Sequence, residues 1–178
     1  MQRLKIVFSG PMGAGKTQAI ATLSDISVVS TEVKNTDLHI NAKALTTVGM
    51  DYGEMTLEDG VSIGLYGTPG QDRFDFIWAV ICKGAIGTIV MIDHTAENPL
   101  IDLEQYVQAF QPFGNNIVIA ITHVDRKPER TLSIYRDWLK ARALNYPLFF
   151  IDARQQDDVL LLVETLIANV EVHYGLVN

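Results

Sequence analysis

A glycine-rich loop near the start of the chain carries residue types that bind phosphate. The stretch GPMGAGKT, residues 10–17, has the spacing G-x-x-x-x-G-K-[ST] and lies between a predicted strand and a predicted helix. Glycines let backbone N–H groups turn toward phosphate oxygens, and a helix N-terminus favours negative charge. In this motif Lys16 reaches the β- and γ-phosphates, and Thr17 offers its hydroxyl to Mg²⁺. The predicted nucleotide contacts here are Gly10, Gly13, Ala14, Gly15, Lys16, Thr17 and Gln18.

Two further polar segments follow predicted strands and could recognise the base of a nucleotide. The stretch ITHVD, residues 121–125, directly follows an apolar run, and open α/β sheets bind ligands at the carboxyl ends of their strands. Asp125 could accept two hydrogen bonds from the N1–H and N2–H₂ groups of guanine, a donor pattern that adenine does not present. The stretch DAR, residues 152–154, could offer the Ala153 backbone N–H to guanine O6.

These loops need a sheet to position them, and the apolar pattern predicts one. A short β-branched run that ends in glycine occurs at residues 4–10. Near-continuous apolar runs of strand length occur at residues 86–93 and 116–122, with a shorter one at 147–152. Strands that are apolar on both faces are typical of a parallel sheet covered by helices on each side. Helical patterns are predicted for residues 15–23, 72–85, 99–110, 129–144 and 157–175.

One segment breaks this alternation of strands and helices. Residues 46–67 alternate around the turn signal Glu58-Asp59-Gly60, which predicts a β-hairpin and hence an antiparallel pair. The expected fold is a three-layer α/β sandwich, with a mostly parallel six-stranded sheet, one antiparallel edge strand and helices on both faces.

Composition limits the class of protein. The chain has 178 residues, a length that suits one domain spanning residues 1–178, and no run approaches the roughly 20 apolar residues of a membrane span. A formal net charge of −7 argues against nucleic acid as the main ligand. The single Cys82, the absence of a signal-peptide pattern and the lack of lipid acceptor sites predict a cytoplasmic protein without a direct membrane anchor, which reaches membranes only through partners.

Over nearly its whole length the chain resembles a Ras-like small GTPase, a P-loop NTPase. GPMGAGKT matches the phosphate loop, TVGMDYG (47–53) resembles the T-I-G-V-D-F stretch after switch I, and GTPGQDRF (67–74) resembles the D-T-A-G-Q-E-R-F of switch II. THVD and DAR are weaker matches to the base motifs N-K-x-D and S-A-K. The stretches LYGTPGQDRF and GAIGTIVMID look most like bacterial and archaeal members, the gliding-motility and conservon GTPases.

The resemblance implies roles for further residues. Thr47 would close on Mg²⁺ and the γ-phosphate, Gly70 would donate its N–H to that phosphate, and Gln71 would orient the attacking water beside the catalytic Lys16. Nucleotide contacts would include Thr122, His123 and Arg154 at the base. The implied activity is a slow GTP hydrolase that alternates between GTP and GDP and signals to a protein effector and a regulator, with a roadblock-type activator or exchange partner as a candidate.

Several positions depart from the family pattern. Gly67 stands where switch II normally carries a magnesium-linked aspartate, which predicts a looser metal site held by Thr17, Thr47, phosphate and water. His123 and Thr122 replace the lysine and asparagine of the base motif and predict a weaker guanine preference. Met12 is expected to crowd Gln71, and residues 18–46 contain no arginine, so hydrolysis should be slow until an activator supplies one. The polar stretch 28–43 predicts an extended switch I.

Two other functions stay open. Gly67 and Met12 are compatible with a non-hydrolysing module, a pseudo-GTPase that binds GTP or ATP and remains in one state. A P-loop kinase is the third alternative, but it should carry a lid with clustered arginines, and no such segment lies near Gln71.

Overall fold

The sheet has seven strands in the part of the chain that the computed structural model describes, residues 4–34, 47–70 and 75–174. In chain order the strands are β1 (Leu4–Ser9), β2 (Val29–Lys34), β3 (Thr47–Thr56), β4 (Ser62–Gly67), β5 (Gly87–Asp93), β6 (Ile117–Thr122) and β7 (Leu148–Phe150). Their spatial order is β2-β3-β4-β1-β5-β6-β7, and β3 alone runs against its neighbours. The predicted α/β fold with a mostly parallel sheet is confirmed.

Five α-helices cover the two faces of this sheet within the described ranges. They are α1 (Lys16–Leu23), α2 (Asp75–Cys82), α3 (Pro99–Phe110), α4 (Ser133–Ala141) and α5 (Gln156–Tyr174). Helices α1 and α5 pack in one apolar core, and α2, α3 and α4 pack in the other. No described helix has the length and apolar character needed to cross a membrane.

The central strands contribute to both cores, which explains their continuous apolar sequence. In β5, Ile89 and Met91 point to the core under α1 and α5, whereas Val90 and Ile92 point to the opposite core. Successive side chains of a strand alternate between faces, so a strand covered on both sides must be apolar throughout. Trp78 of α2 lies in the second core, with 4% of its surface exposed.

The structure corrects the prediction at one edge of the sheet. The predicted hairpin forms from β3 and β4, and the Leu57 N–H donates to the Val61 carbonyl across its turn at 2.9 Å. However, β2 pairs with the outer side of β3, so the sheet has seven strands instead of six and the antiparallel strand is not at the edge. In β2 the β-branched residues Val29, Thr31 and Val33 alternate with Ser30, Glu32 and Lys34, a period-2 pattern typical of a strand. This pattern lies within residues 28–43, which the sequence analysis interpreted as an extended switch I.

Candidate nucleotide site

The loop between β1 and α1 has a backbone that only glycine accommodates at key positions. Gly10 has φ of 141°, and a Cβ atom there would lie 2.1 Å from the carbonyl oxygen of Met91. Gly15 has φ of 96° and immediately precedes α1. Since left-handed backbone is strained for other residues, these glycines allow β1 to turn sharply into the helix. The N-terminal N–H groups of α1 therefore face the loop, as phosphate binding requires.

Lys16 is buried inside this loop. Its side chain is 8% exposed, and its ammonium donates to the carbonyls of Gly10 and Pro11, both at 2.7 Å. Burial lowers the pKa of Lys16 to about 8, while the negative charge of Asp51 acts in the opposite direction. Two backbone carbonyls thus hold the ammonium in place, and one of its three N–H donors is left over.

A cavity of about 360 Å³ opens beside Lys16. It is lined by Met12, Gly13, Gly15, Lys16, Thr17, Gln18, Gly49, Asp51, Thr68, Pro69 and Gly70. Gly70 comes so close to the loop that a Cβ atom on it would lie 2.4 Å from the Met12 backbone nitrogen. The structure therefore brings Gly70 to the phosphate loop, whereas Gln71 and the side chain of Thr47 lie outside the described residues.

Asp51 contributes a carboxylate to this cavity that the sequence analysis missed. It accepts hydrogen bonds from the hydroxyl of Thr17 and, at 2.7 Å, from that of Ser30. Asp51 pairs with Gly67 across β3 and β4. The predicted turn could have revealed this pairing, since Asp51 and Gly67 each lie eight residues from Asp59 at its centre.

Thr68 is a second residue of the cavity that the sequence analysis missed. It is 3% exposed, and its hydroxyl makes no hydrogen bond to any described residue. Its N–H donates to the carbonyl of Phe8 at 2.9 Å, which fixes the end of β4 against β1. A buried polar group without a partner costs free energy, so this hydroxyl favours a polar ligand in the cavity.

A second cavity, of about 210 Å³, lies at the ends of β6 and β7. It is lined by Gly15, Gln18, His123, Asp125, Arg126, Asp152, Ala153 and Arg154. Gly15 and Gln18 line both cavities, so the two adjoin at the start of α1. A pocket for phosphates next to a pocket for a flat polar group is the shape that a nucleotide requires. Four residues predicted to bind the base, His123, Asp125, Ala153 and Arg154, are thus brought together.

Thr122 lies beneath the phosphate loop. Its hydroxyl is buried and donates to the carbonyl of Ala14 at 2.9 Å, which ties the end of β6 to the loop. His123 follows with a left-handed backbone, φ of 57°, and its Nδ1 lies 3.1 Å from a carboxylate oxygen of Asp93. Burial acts to raise the pKa of Asp93, but hydrogen bonds from Thr95 and the neighbouring His123 hold it below its usual value.

Arg154 and Asp152 form an ion pair at the rim of the second cavity. The guanidinium donates from Nε and NH2 to the two carboxylate oxygens, at 2.9 and 2.6 Å. Hydrogen bonds from Arg154 lower the pKa of Asp152 to about 2. The pair joins the residues on either side of Ala153, whose N–H is the predicted partner of the base.

A larger groove of about 1040 Å³ runs between α3 and α4, with Leu100, Ile101 and Trp138 among its lining residues. Its size does not make it the functional site, because the glycine loop, the buried lysine and the polar strand ends converge elsewhere.

Among the described residues, no cluster of three or more His, Cys, Asp or Glu side chains could hold a metal ion. A metal at the phosphate cavity would therefore rely on hydroxyls, single carboxylates and the ligand's own oxygens.

Fold and loop together define a nucleotide-binding protein of the P-loop NTPase class. Residues 27–146, more than half of the chain, match the family described as conserved hypothetical ATP binding protein, and the chain belongs to that family. The matched range contains THVD but neither GPMGAGKT nor DAR.

The chain is also similar to Ras-related proteins. It is 25% identical to Rab-3C of Mus musculus over 169 residues, which cover 92% of this chain and 69% of that protein. It is 23% identical to SEC4 of Saccharomyces cerevisiae over 158 residues, which cover 87% of this chain and 68% of that protein. It is 24% identical to Rab11C of Nicotiana tabacum over 175 residues, which cover 93% of this chain and 73% of that protein. These similarities support a small GTPase of the Ras-like type, while the gliding-motility and conservon branch stays a prediction.

Proposed function

We propose that residues 1–178 form one GTPase domain that binds GTP and GDP, slowly hydrolyses GTP to GDP and phosphate, and signals its nucleotide state to protein partners. The observation that carries this proposal is the junction of the two cavities at Gly15 and Gln18. It sets the buried Lys16 at one end of a continuous site and Asp125 at the other.

Guanine is the base that these residues support best. Asp125 offers a carboxylate, an acceptor of two hydrogen bonds, to the two neighbouring donors on the guanine ring. Adenine would place an acceptor against that carboxylate and would offer it no pair of donors. The family's description as ATP-binding makes ATP the competitor to test, and His123, in place of a lysine, predicts a moderate discrimination between the two.

Hydrolysis requires charge stabilisation and a positioned water. The ammonium of Lys16 and the N–H groups of the glycine loop neutralise charge on the β- and γ-phosphates, and Gln71 orients water for in-line attack. Mg²⁺, when bound with the nucleotide, supplies further neutralisation of the phosphates. Thr17 fits such an ion, since its exposed hydroxyl lies in the cavity beside a carboxylate and Mg²⁺ prefers oxygen ligands. Thr47 is the second residue proposed to hold the ion.

A non-hydrolysing module is the second candidate, and two observations favour it. Gly67 brings no carboxylate from β4, and Met12, which is 68% exposed, lines the phosphate cavity with a bulky side chain. Such a module would bind the same nucleotide and remain in one state.

Partners and location belong to the same proposal. An activator that inserts an arginine would accelerate hydrolysis by about 10³–10⁵-fold, as in the Ras and Gα systems that serve as the general template for this effect. A protein effector would bind the GTP state, and a roadblock-type partner is the candidate regulator. A cytoplasmic site of action, with membrane contact only through partners, is proposed on the composition alone.

Single-turnover hydrolysis of GTP and of ATP, followed with Mg²⁺ present, tests this function. The native chain should convert GTP slowly and ATP more slowly still, and both Lys16→Ala and Gln71→Leu should abolish the conversion. Asp137→Asn on the exposed face of α4 is the matched control and should behave as the native chain. Tight binding of GTP without any turnover, unchanged by Gln71→Leu, would favour the non-hydrolysing module.

A further inference from the structure

We propose that Asp51 of β3 supplies the magnesium site with the carboxylate that switch II of this chain lacks at Gly67. The proposal deepens the proposed function and rests on it, because the metal binds together with the nucleotide. The carboxylate would thus come from the neighbouring strand of the hairpin.

The first observation is the contact between Asp51 and Thr17. Thr17 is the phosphate-loop residue expected to offer its hydroxyl to the metal, and that hydroxyl donates a hydrogen bond to Asp51 Oδ2. The lone pairs of the threonine oxygen are then free to face a cation. The other carboxylate oxygen is held by the Ser30 hydroxyl at 2.7 Å, so the orientation of the group is fixed by β2 as well as by α1.

The second observation is the register of the hairpin. Asp51 and Gly67 are direct partners across β3 and β4. A Cβ atom built on Gly67 would lie 3.1 Å from the Cβ of Asp51 and 3.4 Å from its Oδ2. A side chain at position 67 would therefore crowd the carboxylate of Asp51. The small residue on β4 leaves room for the acid on β3.

The third observation is electrostatic. Asp51 and Lys16 both line the phosphate cavity, and the charge of Asp51 acts on the lysine through space. The carboxylate therefore lies where bound phosphates and their cation would meet. Groups that hold a metal's ligands by hydrogen bonds typically change metal affinity by about 10–100-fold when they are removed.

Release of a fluorescent GDP analogue, measured with a range of Mg²⁺ concentrations and in EDTA, tests the proposal. In the native chain Mg²⁺ should slow the release of the GDP analogue. Asp51→Asn should raise the Mg²⁺ concentration that half-maximally slows release by about 10–100-fold. Release in EDTA should be no faster than in the native chain, because without the metal the carboxylate of Asp51 only repels the phosphates. Asp137→Asn should leave both measurements at the native values.

An exchange variant separates a metal role from a structural one. Asp51→Gly combined with Gly67→Asp moves the acid to β4 and removes the crowding Cβ of Asp51. The other close atom, Ile20 Cδ1 at 3.1 Å, is the end of a flexible side chain. The exchange should therefore regain most of the native response to Mg²⁺. Asp51→Asn could weaken GDP binding by the same factor with Mg²⁺ and in EDTA. In that case the exchange variant decides: if it regains the dependence on Mg²⁺ the proposal is supported, and if it does not the proposal is overturned.

Two other results have distinct meanings. An Asp51→Asn variant with the native Mg²⁺ response would overturn the proposal, as would GDP release from the native chain that ignores Mg²⁺, and both would leave guanine nucleotide binding intact. Failure of the native chain to bind the GDP analogue at all would instead contradict the proposed function.

Discussion

Lys16 is a cation enclosed by the protein, and its burial has a measurable consequence. Its pKa in the folded, nucleotide-free chain is about 8, against 10.5 for an exposed lysine. Between these two pH values the unfolded chain binds more protons than the folded chain, so the contribution of Lys16 to the free energy of unfolding increases with pH. Below about pH 8 both states are protonated and the contribution is constant.

Comparison with Lys16→Met isolates this effect. The free energy of unfolding of the native chain, minus that of the variant, should be flat up to about pH 8 and then increase by about 3 kcal/mol toward pH 10.5. Urea denaturation of nucleotide-free protein at a series of pH values measures the difference. A difference that stays constant across this range would show that the lysine is not perturbed.

Thr122 supports the phosphate loop from below, and its hydroxyl can be removed without changing shape. Thr122→Val leaves the Ala14 carbonyl without its donor in a buried place, which should cost about 1–3 kcal/mol of unfolding free energy. Thr165→Val removes a comparable hydrogen bond, from the hydroxyl to the Leu161 carbonyl within α5, and should cost less than about 0.5 kcal/mol. Chemical denaturation of both variants provides the test, and equal losses would contradict a bracing role.

At the scale of elements, the segment that follows β4 is held against the phosphate loop by contact between backbones. A methyl group on Gly70 would lie 2.4 Å from the Met12 nitrogen and 2.8 Å from the Pro11 carbonyl carbon, neither of which can move alone. Gly70→Ala should therefore destabilise the fold by about 1–3 kcal/mol and slow GTP hydrolysis.

Gly49 provides the control for the Gly70→Ala variant. A Cβ atom there meets no described atom within 4 Å, so Gly49→Ala should leave the denaturation midpoint close to the native value. If Gly70→Ala has no larger effect than Gly49→Ala on the midpoint, the packing of Gly70 against the phosphate loop is not important for stability.

The elements differ in how well sequence alone predicts them. Strands β5 and β6 are buried on both faces, so their apolar runs identify them directly. Strand β2 has only a weak alternation and depends on hydrogen bonds to the free side of β3, information that no local pattern contains. The same is true of Asp51, which becomes part of the site only because the hairpin register sets it beside Thr17.

The residues that line the two cavities were predicted where they belong to a motif and missed where packing alone brings them there. GPMGAGKT supplies lining residues of the first cavity, and THVD with DAR supplies lining residues of the second. Thr68 and Asp51 were not predicted, because the distances that bring them to the loop are set by strands far apart in sequence. Thr122 was expected at the base, whereas its hydroxyl is observed on the loop backbone.

For the whole molecule, the net charge has the same sign as the charge of the proposed ligand. The chain carries a net charge of −7, yet its proposed ligand is a polyanion. Binding must therefore come from local groups, namely the buried ammonium, the N–H groups at the start of α1 and the cation, since the overall field repels nucleotides. Affinity should accordingly depend strongly on Lys16 and on Mg²⁺.

Competition between guanine and adenine nucleotides for the native chain tests the central claim most directly. GTP and GDP should displace a fluorescent GDP analogue at concentrations at least about tenfold lower than ATP and ADP, a difference of about 1.4 kcal/mol. Asp125→Ala should remove this preference by weakening guanine nucleotides and leaving adenine nucleotides unchanged, whereas Asp137→Asn should preserve it. Equal or tighter binding of ATP, with no effect of Asp125→Ala, would contradict the assignment of the chain as a guanine-nucleotide switch.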